Sequence, residues 1–339
     1  MMRDLEGLSR HFSEYLEERP FWPHPALWNG HLQTIVGSQQ RRSFEWGWKA
    51  CVSKTITLSD GAVVRAEVVF CDEASPTLVA VHGMGGSSDS MYMLGLSHKA
   101  YLERWNSVRL SLYNLNSNLE RPKVFHAGCS RDLAEIGSTL FNRFGFDKCF
   151  FVGMSMGGNI LLKLLGEWGD DYPPHILAAA AISPLVDLTA SWQILDSRSN
   201  RLYRWYYVSR LRRLALAGAE ALSPYLDVEK LRQVRTIREF DEAFTVPLSG
   251  YQDVFEYYNE SSAVSTLGQI RVPTLLIHSR DDPLLPWRPL ANPAVEKNPY
   301  LMLALSERGG HGAFVERSRR DIDRSWAENR VVDFFRLAV

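Results

Sequence analysis

The segment from Cys149 to Glu167 constrains the fold of this 339-residue chain more than any other. Cys149-Phe150-Phe151-Val152 is an unbroken apolar run. It passes directly into Gly153-Met154-Ser155-Met156-Gly157 and then into the helix-period stretch Ile160 to Glu167. An apolar run of this kind fits a strand covered on both faces, so the chain needs helices on either side of a sheet. A turn this tight between strand and helix brings neighbouring backbone too close for side chains two positions either side of the serine. Gly153 and Gly157 meet that demand while the serine hydroxyl is pushed outward. Alone, Gly-x-Ser-x-Gly is a weak signal, equally a glycine-rich turn carrying a solvated serine, and it gains meaning only from what surrounds it.

Further strand-like segments are Lys54 to Leu58, Val63 to Phe70, Thr77 to Val81, Ser107 to Tyr113, Ile176 to Ile182, Thr274 to His278 and Tyr300 to Leu305. Helix-period segments fall at about 90–104, 130–144, 156–167 and 315–337. Alternating strands and helices imply a largely parallel sheet with right-handed crossovers, an α/β class. Residues 1–50, rich in Trp, Phe and Pro, are expected as an extended arm lying on the main domain. Residues 186–265 read as helices rich in Arg, Leu and Tyr, an insertion placed where a lid would sit. The core then comprises 51–185 and 266–339.

A serine hydroxyl attacks at neutral pH only with an imidazole base, itself oriented by a carboxylate. In this type of sheet the chain order is Ser, acid, His. Three histidines follow Ser155: His175, expected in a loop behind the sheet; His278, at a strand end; and His311, in the flexible Gly309-Gly310-His311-Gly312 loop after the last strand. His311 is the candidate base, with a structural role expected for His278. The acid is expected in Asp281-Asp282-Pro283-Leu284-Leu285-Pro286, at the carboxyl edge of the sheet where ligands bind. The Asp-Pro-Leu-Leu-Pro spacing favours Asp282 over Asp281, the latter then serving a turn. Backbone amides for an oxyanion are expected from Met156, after the serine, and from Met84 in the His82-Gly83-Met84-Gly85-Gly86 loop. That loop lacks the Lys-Ser/Thr that a phosphate cradle needs.

Other partners are constrained by charge. The formal charge of -1, from 38 basic and 39 acidic residues, gives no global field for nucleic acid. The local exception is Arg198, Arg201, Arg204, Arg210, Arg212 and Arg213, interleaved with Tyr203, Trp205, Tyr206 and Tyr207. A solvated lid face with its Leu and aromatic side chains turned inward is the simpler reading. Peripheral contact with anionic lipid comes second and nucleic acid third. No metal-ligand spacing appears, so no metal or cofactor is expected. Cys51, Cys71, Cys129 and Cys149 form no C-x-x-C pair, and no targeting segment is read at the start, which together favour a cytoplasmic setting. The longest nearly apolar stretch, Ile176 to Val186, has 11 residues where about 20 are needed to span a bilayer.

With these pieces assembled the chain resembles the YheT-like branch of the α/β-hydrolase superfamily. The resemblance covers about residues 21–315 and is carried by Phe21-Trp22-Pro23, Asn29-Gly30-His31-Leu32-Gln33-Thr34, the His82 to Ser88 loop with Tyr92, His126-Ala127-Gly128, Thr236 to Asp241, Tyr257-Tyr258, Asp281-Asp282-Pro283 and Gly309-Gly310-His311. It implies an α/β-hydrolase fold with a mostly parallel eight-stranded sheet, a helical cap over residues 186–265, and a triad of Ser155, Asp282 and His311. The function expected is a serine hydrolase of carboxylic esters, on short- or medium-chain or acyl-lipid substrates. Tyr203, Trp205, Tyr206 and Leu211 are expected to cover an apolar acyl pocket. Thioesterase, amidase or acyltransferase chemistry on the same groups, or a silent lipid-binding protein on the same fold, are the alternatives.

Overall fold

Eight strands pair into one sheet: β1 (Cys51–Thr57), β2 (Val63–Val69), β3 (Thr77–Val81), β4 (Asn106–Ser111), β5 (Cys149–Met154), β6 (Ile176–Ile182), β7 (Thr274–Ser279) and β8 (Leu301–Ser306). The computed structural model describes residues 5–44, 51–112, 115–116, 122–317 and 323–338; Tyr113, expected at the end of a strand, lies outside them. The order across the sheet is β1-β2-β4-β3-β5-β6-β7-β8. β2 is antiparallel to both its neighbours, and every other pairing is parallel. The five residues of β3 and the six of β7 are all buried, as double-sided cover demands.

Helices α3 (Met91–Leu102), α4 (Ser130–Asn142) and α5 (Met156–Trp168) follow β3, the β4 region and β5. One face of the sheet is packed by Leu133, Ile136, Ile160 and Leu164 of α4 and α5. The other is packed by Met93 and Leu96 of α3 and by Val331, Phe334 and Phe335 of the last helix, Trp326–Leu337. Between β6 and β7, described residues 186–265 contain helices and no strand. These include α6 (Leu188–Leu195), α7 (Arg201–Leu216), a continuous helix over 237–249 whose middle, Asp241–Thr245, is a π turn, and α8 (Val254–Ser261). Val208, Ala215, Leu231, Phe240, Phe244 and Leu248 form a separate apolar cluster here.

Two expectations need correction. Of the expected extended arm, the described residues 5–44 carry α1 (Leu5–Glu18) and α2 (Gly30–Gln39), so this part is not extended throughout. In α1 the apolar positions Leu8, Phe12, Tyr15 and Leu16 recur at helical spacing, and Phe12 is buried edge-on against Phe334 at 5.1 Å between ring centroids. The last helix, α9, begins at Trp326 rather than at 315. Val315 and Glu316 are extended instead, forming antiparallel bridges with Ser325 and Pro23, and the Val315 amide is held by Gln33 Oε1 at 2.8 Å. Part of that expected span, 318–322, lies outside the described residues.

Candidate active site

Ser155 stands between β5 and α5 with φ 54° and ψ -117°, a conformation L residues avoid and one that costs on the order of 1–3 kcal/mol. What holds it there is packing. A methyl on Gly157 would lie 2.5 Å from the His82 carbonyl oxygen and 2.6 Å from that of Val81, and one on Gly153 would overlap the Gly157 backbone. The Ser155 amide donates to the Ile182 carbonyl at 3.0 Å, and its own carbonyl accepts from Leu185 at 3.2 Å. The side chain is left to face the carboxyl edge of the sheet.

His311 and Asp282 meet it there. His311 Nε2 lies 3.1 Å from Ser155 Oγ, and His311 Nδ1 lies 2.8 Å from Asp282 Oδ2. A carboxylate can only accept, so Nδ1 carries the proton and Nε2 is left as the acceptor of the serine hydroxyl. Asp282 is almost wholly buried, and its Oδ1 accepts from the amides of Leu284 at 2.8 Å and Leu285 at 3.0 Å. Burial alone would raise this carboxyl. The His311 and His278 rings and the Leu284 amide outweigh it, and the net shift is below the ordinary carboxylate value. Asp281 points elsewhere, its Oδ1 accepting from the Gly310 amide at 2.9 Å.

The other histidines are spent on structure. His278 is buried, donates Nδ1–H to the Ser279 carbonyl at 2.9 Å, and is held by burial below the usual histidine value. His175 stacks on Phe141 at 4.6 Å.

The loop after β3 runs against the serine: a methyl on Gly83 would sit 3.1 Å from Ser155 Cβ. The Gly83 amide is consumed by Tyr92 Oη at 3.0 Å. Those of Met84 and Met156 donate to nothing among the described residues, and both residues border one cavity. Arg210 of α7 reaches over and donates to the Gly85 carbonyl at 2.6 Å, so the helical insertion touches this loop directly.

Reasoning from sequence missed the role of α2. Thr34 Oγ1 accepts from the His311 amide at 2.9 Å while donating to the Gly30 carbonyl at 2.7 Å. Gln33, wholly buried, closes the exit of the same loop by bonding both the amide and the carbonyl of Val315. A side chain on Gly30 would overlap the Asp281 carbonyl, so α2 is wedged between the loop that carries the acid and the loop that carries the imidazole. The signal was present in Asn29 to Thr34: polar side chains His31, Gln33 and Thr34 at the start of an uncharged helix, with Asn29 capping it through the Leu32 amide at 2.9 Å.

The cavity, about 110 Å³, is walled by Trp192, Leu211, Leu214, Ile237, Phe240 and Phe244 among others. Of the four residues expected to cover it, only Leu211 borders it. Trp205 and Tyr206 are exposed, because at about 100° per residue they fall roughly 120° and 140° round α7 from Leu211. Tyr203 and Tyr207 lie instead near Asp282, whose charge adds to burial in raising both phenols.

The chain is similar to known proteins over most of its length. A protein-family profile described as alpha/beta hydrolase fold matches residues 76–318. YheT of Escherichia coli (strain K12) is 30% identical over 331 residues, 95% of this chain and 94% of that one. A monoacylglycerol lipase of Saccharomyces cerevisiae is 29% identical over 261 residues, 74% of this chain and 57% of its own length. Among solved structures, the Pyrococcus furiosus esterase Pf2001 superposes with a TM-score of 0.56 over 88% of this chain and 97% of that one, at 16% identity.

Proposed function

The chain belongs to the α/β-hydrolase family and is a carboxylic ester hydrolase, and from that premise we propose that Ser155, His311 and Asp282 form its catalytic triad and that acyl-lipid or medium-chain esters are its substrates. Ser155 Oγ attacks the ester carbonyl as its proton passes to His311 Nε2. Asp282 holds the ring and stabilises the imidazolium that forms. The Met84 and Met156 amides receive the oxyanion, His311 returns the proton to the leaving alcohol, and water activated by the same ring releases the acyl group.

The observation that carries this reading is the hydrogen-bonded succession Ser155–His311–Asp282 beside two unspent amides. The apolar cavity that these amides border supports an acyl chain as the group bound, and a yeast relative that is a monoacylglycerol lipase supports the lipid class. Residues 186–265 act as a cap: Arg210 ties them to the oxyanion loop and Leu211 and Leu214 wall the cavity.

A fluorophosphonate probe is expected to label the wild type and not Ser155→Ala. The same substitution should cut p-nitrophenyl ester hydrolysis by at least about 10⁴-fold. Labelling that survives in Ser155→Ala would move the nucleophile elsewhere.

A further inference from the structure

We propose that the outer face of α7, with α2 beside it, docks this protein on an anionic lipid bilayer surface. The proposal rests on the ester-hydrolase reading only for what the docked site would meet there.

Three observations carry it. The first is what the face exposes. Leu202 is 74% exposed, Trp205 69% and Tyr206 51%; Trp28, in the loop just before α2, is 60% exposed, and Ile35 and Val36 of α2 are also outward. Isolated apolar side chains on a surface need no explanation. These are joined: the His31 ring of α2 stacks on Tyr203 of α7 at 5.7 Å and bonds its hydroxyl at 3.2 Å, which ties the two helices at that point.

The second is charge. The 16 residues of α7 contain five arginines and no acid, and α2 contains no Asp, Glu, Lys or Arg. Arg198, Arg201 and Arg213 are exposed, and among the described residues no carboxylate lies within ion-pair distance of them. Arginines flanking Leu, Trp and Tyr on one helix face match the headgroup layer of an anionic bilayer, which takes the cations at the phosphates and the aromatic and aliphatic groups just below. A nucleic acid would use the cations and stack on the aromatics but has no place for Leu202, Ile35 and Val36.

The third is position. α7 lies over the candidate site: its Tyr203 and Tyr207 feel the Asp282 charge, and its Arg210 bonds the Gly85 carbonyl beside Ser155. A surface held against this face lies one helix away from the candidate site. No helix among the described residues is long and apolar enough to cross a membrane, so the contact would be peripheral.

Sedimentation with vesicles of phosphatidylcholine alone and of phosphatidylcholine mixed with phosphatidylglycerol tests this. Binding is expected to the mixed vesicles, to fall with added salt, and to weaken roughly fivefold for each of Arg201→Gln and Arg213→Gln. It is expected to be lost in Leu202→Ser/Trp205→Ser. These four side chains border neither the cavity nor Ser155, so hydrolysis of a soluble short-chain p-nitrophenyl ester should not change. Sedimentation with neither vesicle, or binding that these variants leave intact, would overturn the proposal. So would salt-sensitive retention on heparin without vesicle binding, which points to a polyanion. Because binding is read without turnover, failure here leaves the fluorophosphonate result on Ser155 standing, and failure there leaves this one.

Discussion

His311 is held by its backbone more than by its ring. Its amide is bonded by Thr34, the preceding amide by Asp281, and the following one, on Gly312, by Ser183 Oγ at 3.0 Å. Three successive amides, each with a side-chain acceptor from a different part of the chain, fix where the imidazole starts from before it turns toward Ser155. Thr34 contributes through position, without reaching Ser155. Replacing Thr34 by Val removes the acceptor at nearly constant volume and leaves the His311 amide unpaired, a loss on the order of 1–2 kcal/mol. The expected outcome is a kcat for ester hydrolysis lowered roughly tenfold with KM little changed, and recovery in Thr34→Ser. A fold-stabilising role alone would lower the unfolding midpoint without separating kcat from KM.

Among the elements, the helix over 237–249 departs most from regular geometry. Its π turn turns Asp241 inward, where Oδ1 accepts from Thr245 at 2.7 Å and Oδ2 from Tyr258 at 2.9 Å. Burial pushes this carboxyl up to about 7, against those two hydrogen bonds and with help from the neighbouring charges of Asp196 and Glu242. The sign follows from proton counting. Between the unfolded value near ~4 and about 7, the folded protein keeps a proton that the unfolded chain has lost, so this group's contribution to stability falls as pH rises through that window. Buried His126, lowered to about 4 by its burial and by Lys123, acts in the opposite sense over part of the same range. The difference between variant and wild type therefore isolates the carboxyl. Urea midpoints across pH 5 to 8 should show Asp241→Asn gaining on the wild type as pH rises, by at most about 1.4 kcal/mol per unit, and levelling off above 7. A constant difference across that range would mean the carboxyl is charged throughout. On α7, by contrast, the helical period alone decides which residues meet the cavity. Counting it from Leu211 would have excluded Trp205 and Tyr206.

At the scale of the molecule, the arm is a strap that crosses from the back of the sheet to its reactive edge. Behind, α1 lays Phe12 on α9, and Arg42 enters a buried charge cluster. Its guanidinium donates to Glu328 at 2.6 and 2.8 Å, to Ser325 Oγ at 2.6 Å and to the Met91 carbonyl at 2.7 Å, while Lys99, 1% exposed, bonds Glu328 and Asp323. Arg42→Ala would leave these acceptors buried and underpaired, at roughly 3 kcal/mol. A urea unfolding midpoint lowered accordingly, with fluorophosphonate labelling of Ser155 intact below the transition, is the expected result; an unchanged midpoint would show the cluster to be indifferent to the arm.

The sheet, the serine turn and the acid and imidazole candidates were legible from the chain alone because each rests on a local rule: apolar runs of strand length, glycines two places from a serine, an acid and a histidine at successive strand ends. The choice between Asp281 and Asp282 as partner of His311 was legible only as a preference for Asp282, from the Asp-Pro-Leu-Leu-Pro spacing. Neighbouring carboxylates in one turn differ only in which way the turn aims them, and that depends on Leu284, Leu285 and Gly310 meeting across the sheet edge. The work of Thr34 and Gln33 was not legible: polar side chains on an uncharged helix marked the stretch, but their partners lie 277 and 282 residues away and cannot be read from local spacing. Short-range sterics and hydrophobic periodicity are written into consecutive residues, whereas a hydrogen bond between distant segments exists only once packing has brought them to the same place.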